Sequence, residues 1–406
     1  MDEVRRIRKD EKNLASQISS IAFNFHYEEP DEKKLPELFA WPAEWTWGYF
    51  SGGKMVSCIT DIPYAMRFDG HNTGMTGIGG VASLPETRHG GKIRKIFESL
   101  LREEYENGTE FSSLNPFSHS FYRMFGYELC NDRNEVTIQS SVFKKLKPSG
   151  RFEQHFPGDP TDILQKIHEQ YIADINQTIL RNHWDDDLAW KMFTHSSPYK
   201  DDIFTYIWHD EKDNPRSYIS FRREMQDGGA VLFIREIVFT DGEALQNALA
   251  FFSLLSFREF RWEAPTFIPI ADLFPENWDF TQKLIPRDML RVIHVQRALE
   301  KMRTPKNLGA PGSLSEGEYI LEINDPMLPE NCGKFRVEFD SKGSRVSKTD
   351  KAPDLSCDIP SLSQLVIGYR TLDNMLLCRK GIELHKNKEL LSDVFTYRPS
   401  HLSENF

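Results

Sequence analysis

The sequence predicts an α/β fold for its first part and a smaller α+β fold towards its end. Strand-like and helix-like stretches alternate over the first 150 residues, a polar joint with Pro and Gly occupies residues 147–150, and the pattern changes to short strands from about residue 292. A chain of 406 residues is long enough for several domains. We therefore predict domains over residues 1–150, 151–291 and 292–406.

The composition is typical of a globular protein, with 39% hydrophobic and 27% charged residues. The formal net charge of −11 disfavours nucleic acid as a partner and is compatible with cationic small molecules or basic peptides. No run approaches about 18 apolar residues, and the first residues lack the apolar core of a signal peptide, so we expect no membrane partner and a cytoplasmic location. The five cysteines never have C-x-x-C spacing, which argues against a disulfide framework and a metal site.

The first strands are predicted to form a hairpin. Two runs of strand-forming residues, 45–50 and 55–60, flank a Gly52-Gly53 turn. Apolar residues alternate over 64–68, which predicts a further strand.

A strand, a turn and a helix follow in that order. Residues 77–84 predict a strand that ends at Pro85, and the helix begins near Lys92. The apolar residues of 93–101 recur at helical spacing and fall on one face, as expected of an amphipathic helix lying on a sheet. A strand over 110–114 completes this α/β unit.

The second part repeats the order of strand and helix. Helical patterning covers residues 163–179, strand-like runs cover 217–221 and 230–239, and a helix is predicted over 243–257. No Arg-x-x-Gly turn joins the last strand to this helix. The pattern is therefore that of a second copy without a phosphate-binding loop.

The third part has strand-like runs over 319–323 and 333–339, followed by helical stretches over 361–369 and 388–395. This order predicts a small α+β domain. Residues 397–406 are predicted to form a polar tail that ends in an aromatic residue.

The turn Arg88-His89-Gly90-Gly91-Lys92 carries a chemical signal. Its glycines free backbone N–H groups, and the start of a helix flanked by cations attracts anions. The turn predicts a phosphate site, and its alternative is a solvated surface turn. The pattern Gly77-x-Gly79-x-x-Ala82 matches a dinucleotide motif, but residues 81–84 continue as strand where that motif requires a helix.

A second motif, Phe121-Tyr122-Arg123-Met124-Phe125-Gly126-Tyr127, follows about one helix later. Alone, it is compatible with core aromatic residues and a glycine helix cap. At this separation, the two motifs together resemble the GNAT superfamily of N-acetyltransferases. The Phe-Tyr-x-x-Phe-Gly-Tyr version resembles the Eis (enhanced intracellular survival) acetyltransferases, and this resemblance covers the chain.

The resemblance implies tandem GNAT-type domains, mixed sheets flanked by helices, of which the first is catalytic and the second degenerate. It also implies a sterol-carrier-protein-like α+β domain over residues 292–406 that supplies the C-terminal carboxylate. The implied cosubstrate is acetyl-CoA, without a metal. The implied assembly is a homo-oligomer, with a hexamer as one candidate.

The resemblance assigns site residues one at a time. Tyr122 matches the general acid, and the carboxylate of Phe406 matches the general base. Ile93 departs from the family pattern, which has a small residue there. The positions matched to acetyl-CoA binding are Val81, Ser83, Arg88, His89, Gly91, Lys92 and Asn115.

The implied reaction moves acetyl from the thioester to a primary amine of a cationic acceptor, such as an aminoglycoside, a polyamine or a lysine side chain. Phe23, Phe25, Trp41 and Trp45 are candidate wall residues for such a cation through cation–π contacts, and their alternative is a place in the core. Two other functions stay open at this point. One is a longer-chain acyl donor, and the other is a non-catalytic CoA- or lipid-binding regulatory protein.

Overall fold

A computed structural model describes residues 2–26, 41–181, 190, 203–276, 278–305, 316–378 and 381–404. The chain forms two compact units. The first comprises the described residues of Met1–Cys130 and Arg287–Arg398 together with Glu404, and the second those of Asn131–Pro286 and Pro399–Ser403. Among the predicted site residues, Phe406 lies outside the described part of the chain.

The amino-terminal part alternates strands and helices, as the sequence predicts. Its elements in chain order are β1 (Glu3–Arg6), α1 (Lys12–Phe23), β2 (Thr46–Ser51), β3 (Lys54–Phe68), β4 (His71–Ser83), α2 (Lys92–Asn107), β5 (Phe111–Leu114), α3 (His119–Arg123) and β6 (Glu128–Leu129).

β2 and β3 form the predicted hairpin. Its turn requires glycine, because Gly52 and Gly53 have φ angles of +56° and +80°. The prediction of a separate strand over 64–68 is wrong. These residues continue β3, because the chain stays paired with β4 until the turn at Asp69-Gly70.

The apolar stripe of α2 is fully buried in the core of the first sheet, as its spacing predicts. Ile96, Phe97, Leu100 and Leu101 pack there with residues of β2, β3 and β4. Burial of each such side chain stabilises the fold by roughly 1.5–3 kcal/mol. This packing fixes where α2 begins relative to the end of β4.

The second unit contains a further mixed sheet. Its elements in chain order are β7 (Asp132–Gln139), α4 (Ser140–Phe143), β8 (Arg151–His155), α5 (Asp162–Ile172), β9 (Ile203–His209), β10 (Pro215–Gln226), β11 (Gly229–Phe239), α6 (Gly242–Ala250), β12 (Glu259–Pro265) and β13 (Phe280–Pro286).

Two helices of this unit are shorter than predicted. α5 ends at Ile172, because Asn176 bridges to Ser400 and Gln177 has a φ angle of +66°. α6 ends at Ala250, where the chain tightens into a 3₁₀ turn over Phe251–Leu254. That turn places two phenylalanines in the core of the second unit.

The third part is the predicted α+β domain. Its sheet has the order β17-β16-β15-β18-β19, with β15 and β18 parallel and the other pairs antiparallel. The elements from the end of the second sheet onward are β14 (Met289–Val292), α7 (Val295–Lys301), β15 (Glu316–Asn324), β16 (Gly333–Asp340), β17 (Gly343–Lys348), β18 (Leu355–Asp358), α8 (Ile359–Ile367), α9 (Leu372–Cys378), β19 (Ile382–Leu384) and α10 (Lys388–Val394).

Two strands lie in a different sheet from the strand that precedes them in the sequence. The sheet orders are β1-β2-β3-β4-β5-β14-β6 and β13-β7-β12-β11-β10-β9-β8. β7 follows the first domain in sequence but lies in the second sheet, and β14 follows β13 but lies in the first. The domain boundaries at 150/151 and 291/292 stay predictions, and the chain changes sheet between β6 and β7.

Candidate functional site

β4 and β5 separate into a fork. They pair in parallel only from Met75 to Ile78, and β4 then continues to Ser83. Directly beyond the last parallel pair, the register of β4 with β3 shifts, and Gly80 has a φ angle of +57°. This β-bulge redirects the strand. We call the opening between residues 79–83 of β4 and the end of β5 the first fork.

Three predicted contacts of acetyl-CoA lie at this fork. Val81 and Ser83 are half-buried on its β4 side, and Asn115 is exposed directly after β5. The Ser83 Oγ lies 2.8 Å from the Ser57 Oγ of β3, so this hydroxyl is tied to the sheet. Along this stretch β4 is no longer hydrogen-bonded to β5. The backbone edge of β4 is therefore available to an extended ligand with amide groups.

The turn after β4 brings the predicted basic residues to the amino terminus of α2. Arg88 and His89 are exposed, and Gly91, with a φ angle of +70°, immediately precedes the helix. Gly91, the N-cap residue, has no side chain that could cap this end of α2. The first N–H groups of a helix have no acceptor within it, so donors and the positive end of the helix dipole converge here.

The turn has open space beside Gly91. A Cβ added at Gly91 would meet no atom within 4 Å in the described structure. Lys92 folds back over the turn and donates from Nζ to the Thr87 carbonyl at 2.9 Å. Ile93, the departure from the family pattern, packs against the core cluster. The turn thus offers donors, cations and room.

Tyr122 lies on α3, which follows β5. Its side chain is 3% exposed and belongs to the same core cluster as Ile78 and Leu114, the last paired residues of the first fork. The neighbouring Tyr127 hydroxyl lies 2.6 Å from the Ser112 Oγ, whereas the Tyr122 hydroxyl has no hydrogen-bond partner among the described residues. Burial raises the pKa of Tyr122 well above its usual value, so the phenol stays protonated at neutral pH.

A buried ion pair supports the turn that carries Tyr122. Arg291 of β14 donates from Nη1 to the Phe125 carbonyl at 2.5 Å and from Nη2 to Asp325 Oδ2 at 2.6 Å. Both side chains of the ion pair are fully buried. A Cβ at Gly126 would lie 2.9 Å from Arg291 Nη1, so glycine is needed for this close approach. Sequence reasoning missed the pair, because Arg291 lies 166 residues from Phe125 and in no local motif.

A cluster of carboxylates surrounds Arg6 on the first sheet. Its Nη2 lies 2.6 Å from both Asp61 and Glu103 and 3.9 Å from Glu104. Burial and the charge of Asp61 raise the pKa of Glu104 to about 7. The sequence gives no signal for this cluster, because its members come from β1, β3 and α2.

The candidate acceptor walls lie at the end of α1 and just before β2. Phe23 and Phe25 are 52% and 49% exposed. Trp41 is half-buried, and its ring centroid lies 5.5 Å from that of Trp45. Their role in acceptor binding stays a prediction.

Within the predicted polar tail, Ser400, His401 and Leu402 are buried. Glu404 belongs to the first unit, where its charge adds to burial in raising the pKa of Tyr64 on β3. The proposed base on Phe406 lies two residues further along the sequence.

Family profiles match all three parts of the chain. Two profiles described as an acetyltransferase (GNAT) domain match residues 3–130 and 181–292. The chain belongs to the GNAT acetyltransferases. A profile described as a sterol carrier protein domain matches residues 295–403, which gives this GNAT protein the domain order of the Eis-like acetyltransferases. No curated protein matches the chain.

Solved structures share the whole fold. A GCN5-related N-acetyltransferase from Anabaena variabilis superposes with a TM-score of 0.86 at 22% identity. A conserved protein of unknown function from Enterococcus faecalis, described as a probable N-acyltransferase, gives 0.87 at 23% identity. Eis1 from Mycobacterium abscessus gives 0.80 at 16% identity. Each comparison covers 100% of both chains.

The two GNAT domains make this protein an acyltransferase, and the GNAT fold implies the use of acetyl-CoA. None of the helices described in the structure has the length and apolar composition needed to cross a bilayer.

Proposed function

We propose that this GNAT protein transfers acetyl from acetyl-CoA to a primary amine of a cationic acceptor, which is an aminoglycoside, a polyamine or a lysine side chain. The observation that carries the proposal is the first fork followed by the uncapped, basic amino terminus of α2. An open strand edge and an anion site in this order suit a long thioester that carries a pyrophosphate.

The residues of the first fork would hold acetyl-CoA. The N–H groups at the start of α2, with Arg88, His89 and Lys92, would bind the pyrophosphate through charge and hydrogen bonds. The β4 edge near Val81 and Ser83 would pair with the amide groups of the pantetheine arm. A backbone N–H near Val81 would stabilise the thioester oxygen as it gains negative charge.

Tyr122 would act as the general acid. The leaving thiolate must accept a proton, and the parent thiol resembles cysteine, with a pKa of about 8.5. The raised pKa of Tyr122 keeps its proton in place until the thiolate forms. Its hydroxyl, without a partner among the described residues, is free to donate to the sulfur.

The terminal carboxylate of Phe406 would act as the general base. An alkylamine has a pKa of about 10, so a proton must leave before the nitrogen can attack. A free α-carboxyl group has a pKa of about 3.5, which burial would raise into a useful range. The place of Glu404 in the first unit supports this role.

The acceptor class rests on charge and aromatic surface. A net charge of −11 favours a cation, and the exposed rings of Phe23 and Phe25, with Trp41, would offer cation–π contacts. A homo-oligomer also belongs to this proposal, and light scattering of the purified protein tests it.

A thiol-release assay with acetyl-CoA and a panel of aminoglycosides, polyamines and lysine peptides tests the proposed activity. Tyr122→Phe removes only the hydroxyl, and we expect kcat to fall at least about 100-fold. A glycine appended after Phe406 displaces the carboxylate, and we expect a similar loss.

The matched control is Tyr127→Phe, because it removes the hydroxyl of the neighbouring tyrosine of the same motif. That hydroxyl bonds to Ser112 within the core, so we expect kcat within about threefold of wild type. Wild-type turnover in both Tyr122→Phe and the extended chain would contradict the mechanism. If thiol release from a long-chain acyl-CoA had a higher kcat/KM than release from acetyl-CoA, the long-chain acyl-CoA would be the preferred donor.

A further inference from the structure

The second sheet repeats the fork of the first. β11 pairs in parallel with β12 over Val231–Ile234 and then continues to Phe239. The register of β11 with β10 shifts immediately after the last parallel pair, as that of β4 with β3 does. We call the opening between residues 235–238 of β11 and residues 263–265 of β12 the second fork.

The chain's own residues 399–403 belong to the same unit, and His401 and Ser403 line a cavity with residues of the second fork. The Asn176 N–H donates to the Pro399 carbonyl at 2.8 Å, and the His401 N–H donates to the Asn176 carbonyl at 2.9 Å. Arg133 of β7, the strand next to β12, donates to the Leu402 carbonyl. Two backbone bonds to Asn176 and one side-chain bond from Arg133 therefore fix this segment.

His401 is buried beside the second fork. It is 9% exposed and lines a small cavity together with Glu236 of β11 and Trp262 of β12. Arg181 holds Glu236 with two hydrogen bonds of 2.9 and 2.7 Å, and Tyr218 donates to the same carboxylate. The Glu236 carboxylate beside the imidazole is therefore fully engaged with Arg181 and Tyr218.

The position that a pyrophosphate would need is closed in the second domain. Asp241 caps α6 by accepting a hydrogen bond from the Ala244 N–H at 3.1 Å. Arg216 holds the same carboxylate and also pairs with Glu243 at 2.8 Å. A carboxylate at this helix terminus repels a phosphate.

We propose that the second fork is a receptor for the chain's own residues 399–403 instead of a second acyl-CoA site, with His401 and Arg133 as positioning residues for the segment that ends in Phe406. The consequence for catalysis rests on the function proposed above. Three residues separate Ser403 from the terminal carboxylate and span at most about 11 Å, so fixing Ser403 restricts where that carboxylate can lie.

The test uses the full chain and Arg133→Met, which removes the donor to the Leu402 carbonyl. Hydrogen exchange measured by mass spectrometry should show a protected His401 amide in the wild type and at least about tenfold faster exchange in the variant. We also expect kcat to fall at least about fivefold with the KM for acetyl-CoA within twofold, because the tail and not the cosubstrate site is released.

Glu263→Gln is the matched control. Glu263 pairs with Nη1 of the same arginine at 3.2 Å and its side chain is 50% exposed, whereas Leu402 accepts from Nη2. This variant should keep both the protection of His401 and the kcat. Calorimetry of the wild type should give one CoA per chain, and two would overturn the proposal.

The exchange readout separates this inference from the proposed function. If the His401 amide is protected in the wild type and exchanges faster in Arg133→Met, the result supports the second fork as a receptor. This holds even if the appended glycine leaves kcat unchanged. A wild-type His401 amide that exchanges freely overturns the receptor even where the appended glycine abolishes turnover. Unchanged kcat in a variant with a released tail overturns the positioning role.

Discussion

In the first fork, the following helix begins after Gly91, without a side-chain cap and with Arg88 and His89 exposed beside it. In the second fork, the following helix begins after Asp241, whose carboxylate caps it. The strands that form the two forks have the same parallel pairing and the same bulge. The groups at the helix start therefore distinguish the fork that we propose to bind an anion from the fork that we propose to exclude one.

The comparison also concerns the use of the fork in the second GNAT domain. A forked strand pair leaves backbone groups unsatisfied unless something pairs with them. In the second unit, His401 and Ser403 line a cavity at the fork, and we propose that the chain's own residues 399–403 take the place of a cosubstrate there. We infer that loss of a phosphate loop does not make such a domain inert.

Each unit contains a buried arginine–carboxylate pair, and breaking these pairs should have the largest effect. Arg291→Met and Arg181→Met should each lower the free energy of unfolding by about 3–5 kcal/mol, because each leaves a buried carboxylate without its partner. Denaturation followed by hydrogen exchange in each unit measures this. The double variant Arg291→Met/Asp325→Leu should recover part of the loss, and a loss under about 1 kcal/mol in the single variants would show the pairs to be unimportant.

One titratable group in each unit should make the stability depend on pH, and the two dependences should have opposite directions. In the first unit, the pKa of Glu104 is raised to about 7 from 4.5, so its contribution to stability is present at low pH and is lost as pH rises through 7. As pH rises from 5 to 7.5, the free energy of unfolding of Glu104→Gln should increase by about 2–3 kcal/mol relative to that of the wild type. Thermal melting over this range checks the prediction, and a pH-independent difference would contradict it.

In the second unit, burial lowers the pKa of His401 to about 3 from 6.5, helped by the charge of Arg133 and opposed by that of Glu236. Its contribution to stability is full above pH 6.5 and is lost as pH falls towards 3. As pH falls from 7 to 5, the free energy of unfolding of His401→Gln should therefore increase by about 2 kcal/mol relative to that of the wild type. The same thermal melting series measures this difference. A relative stability of His401→Gln that increases towards high pH would contradict the lowered pKa of His401.

Glycine at the start of the helix should matter only in the first fork. Gly91→Ala places a side chain at a φ angle of +70°, which costs about 1 kcal/mol, and puts a methyl group into the open space of the turn. We expect the KM for acetyl-CoA to rise about tenfold. Gly242→Ala, at the start of α6 and with no atom within 4 Å of the added Cβ, should change this KM less than twofold. Equal effects at both sites would remove the distinction between the forks.

The smallest effect should come from removing the charge that closes the second fork. Asp241→Ser replaces the capping carboxylate with a neutral hydroxyl that can also cap α6, so stability should change by less than about 1 kcal/mol. The number of CoA molecules bound per chain should stay at one by calorimetry, because we propose that residues 399–403 still occupy the fork. A second bound CoA would show that Asp241 alone closes the site.

Local patterns predicted the elements whose cause is local. The Gly52-Gly53 hairpin and the buried stripe of α2 follow from turn chemistry and helical spacing. The turn at Arg88 and the motif around Tyr122 gave the GNAT assignment from the residues themselves. The early end of α5 was missed, because it depends on a bridge between Asn176 and Ser400.

The sequence by itself determined the order of domains, the basic turn before α2 and the tyrosine that follows β5, because each is written in adjacent residues with a fixed spacing. Only the tertiary structure decided that Arg291 supports the turn of Phe125, that β7 and β14 join the sheets they do, and that His401 and Ser403 line a cavity with residues of the second fork. Such pairings join residues more than 100 positions apart in the sequence, and hydrogen bonds and burial in the folded chain select them.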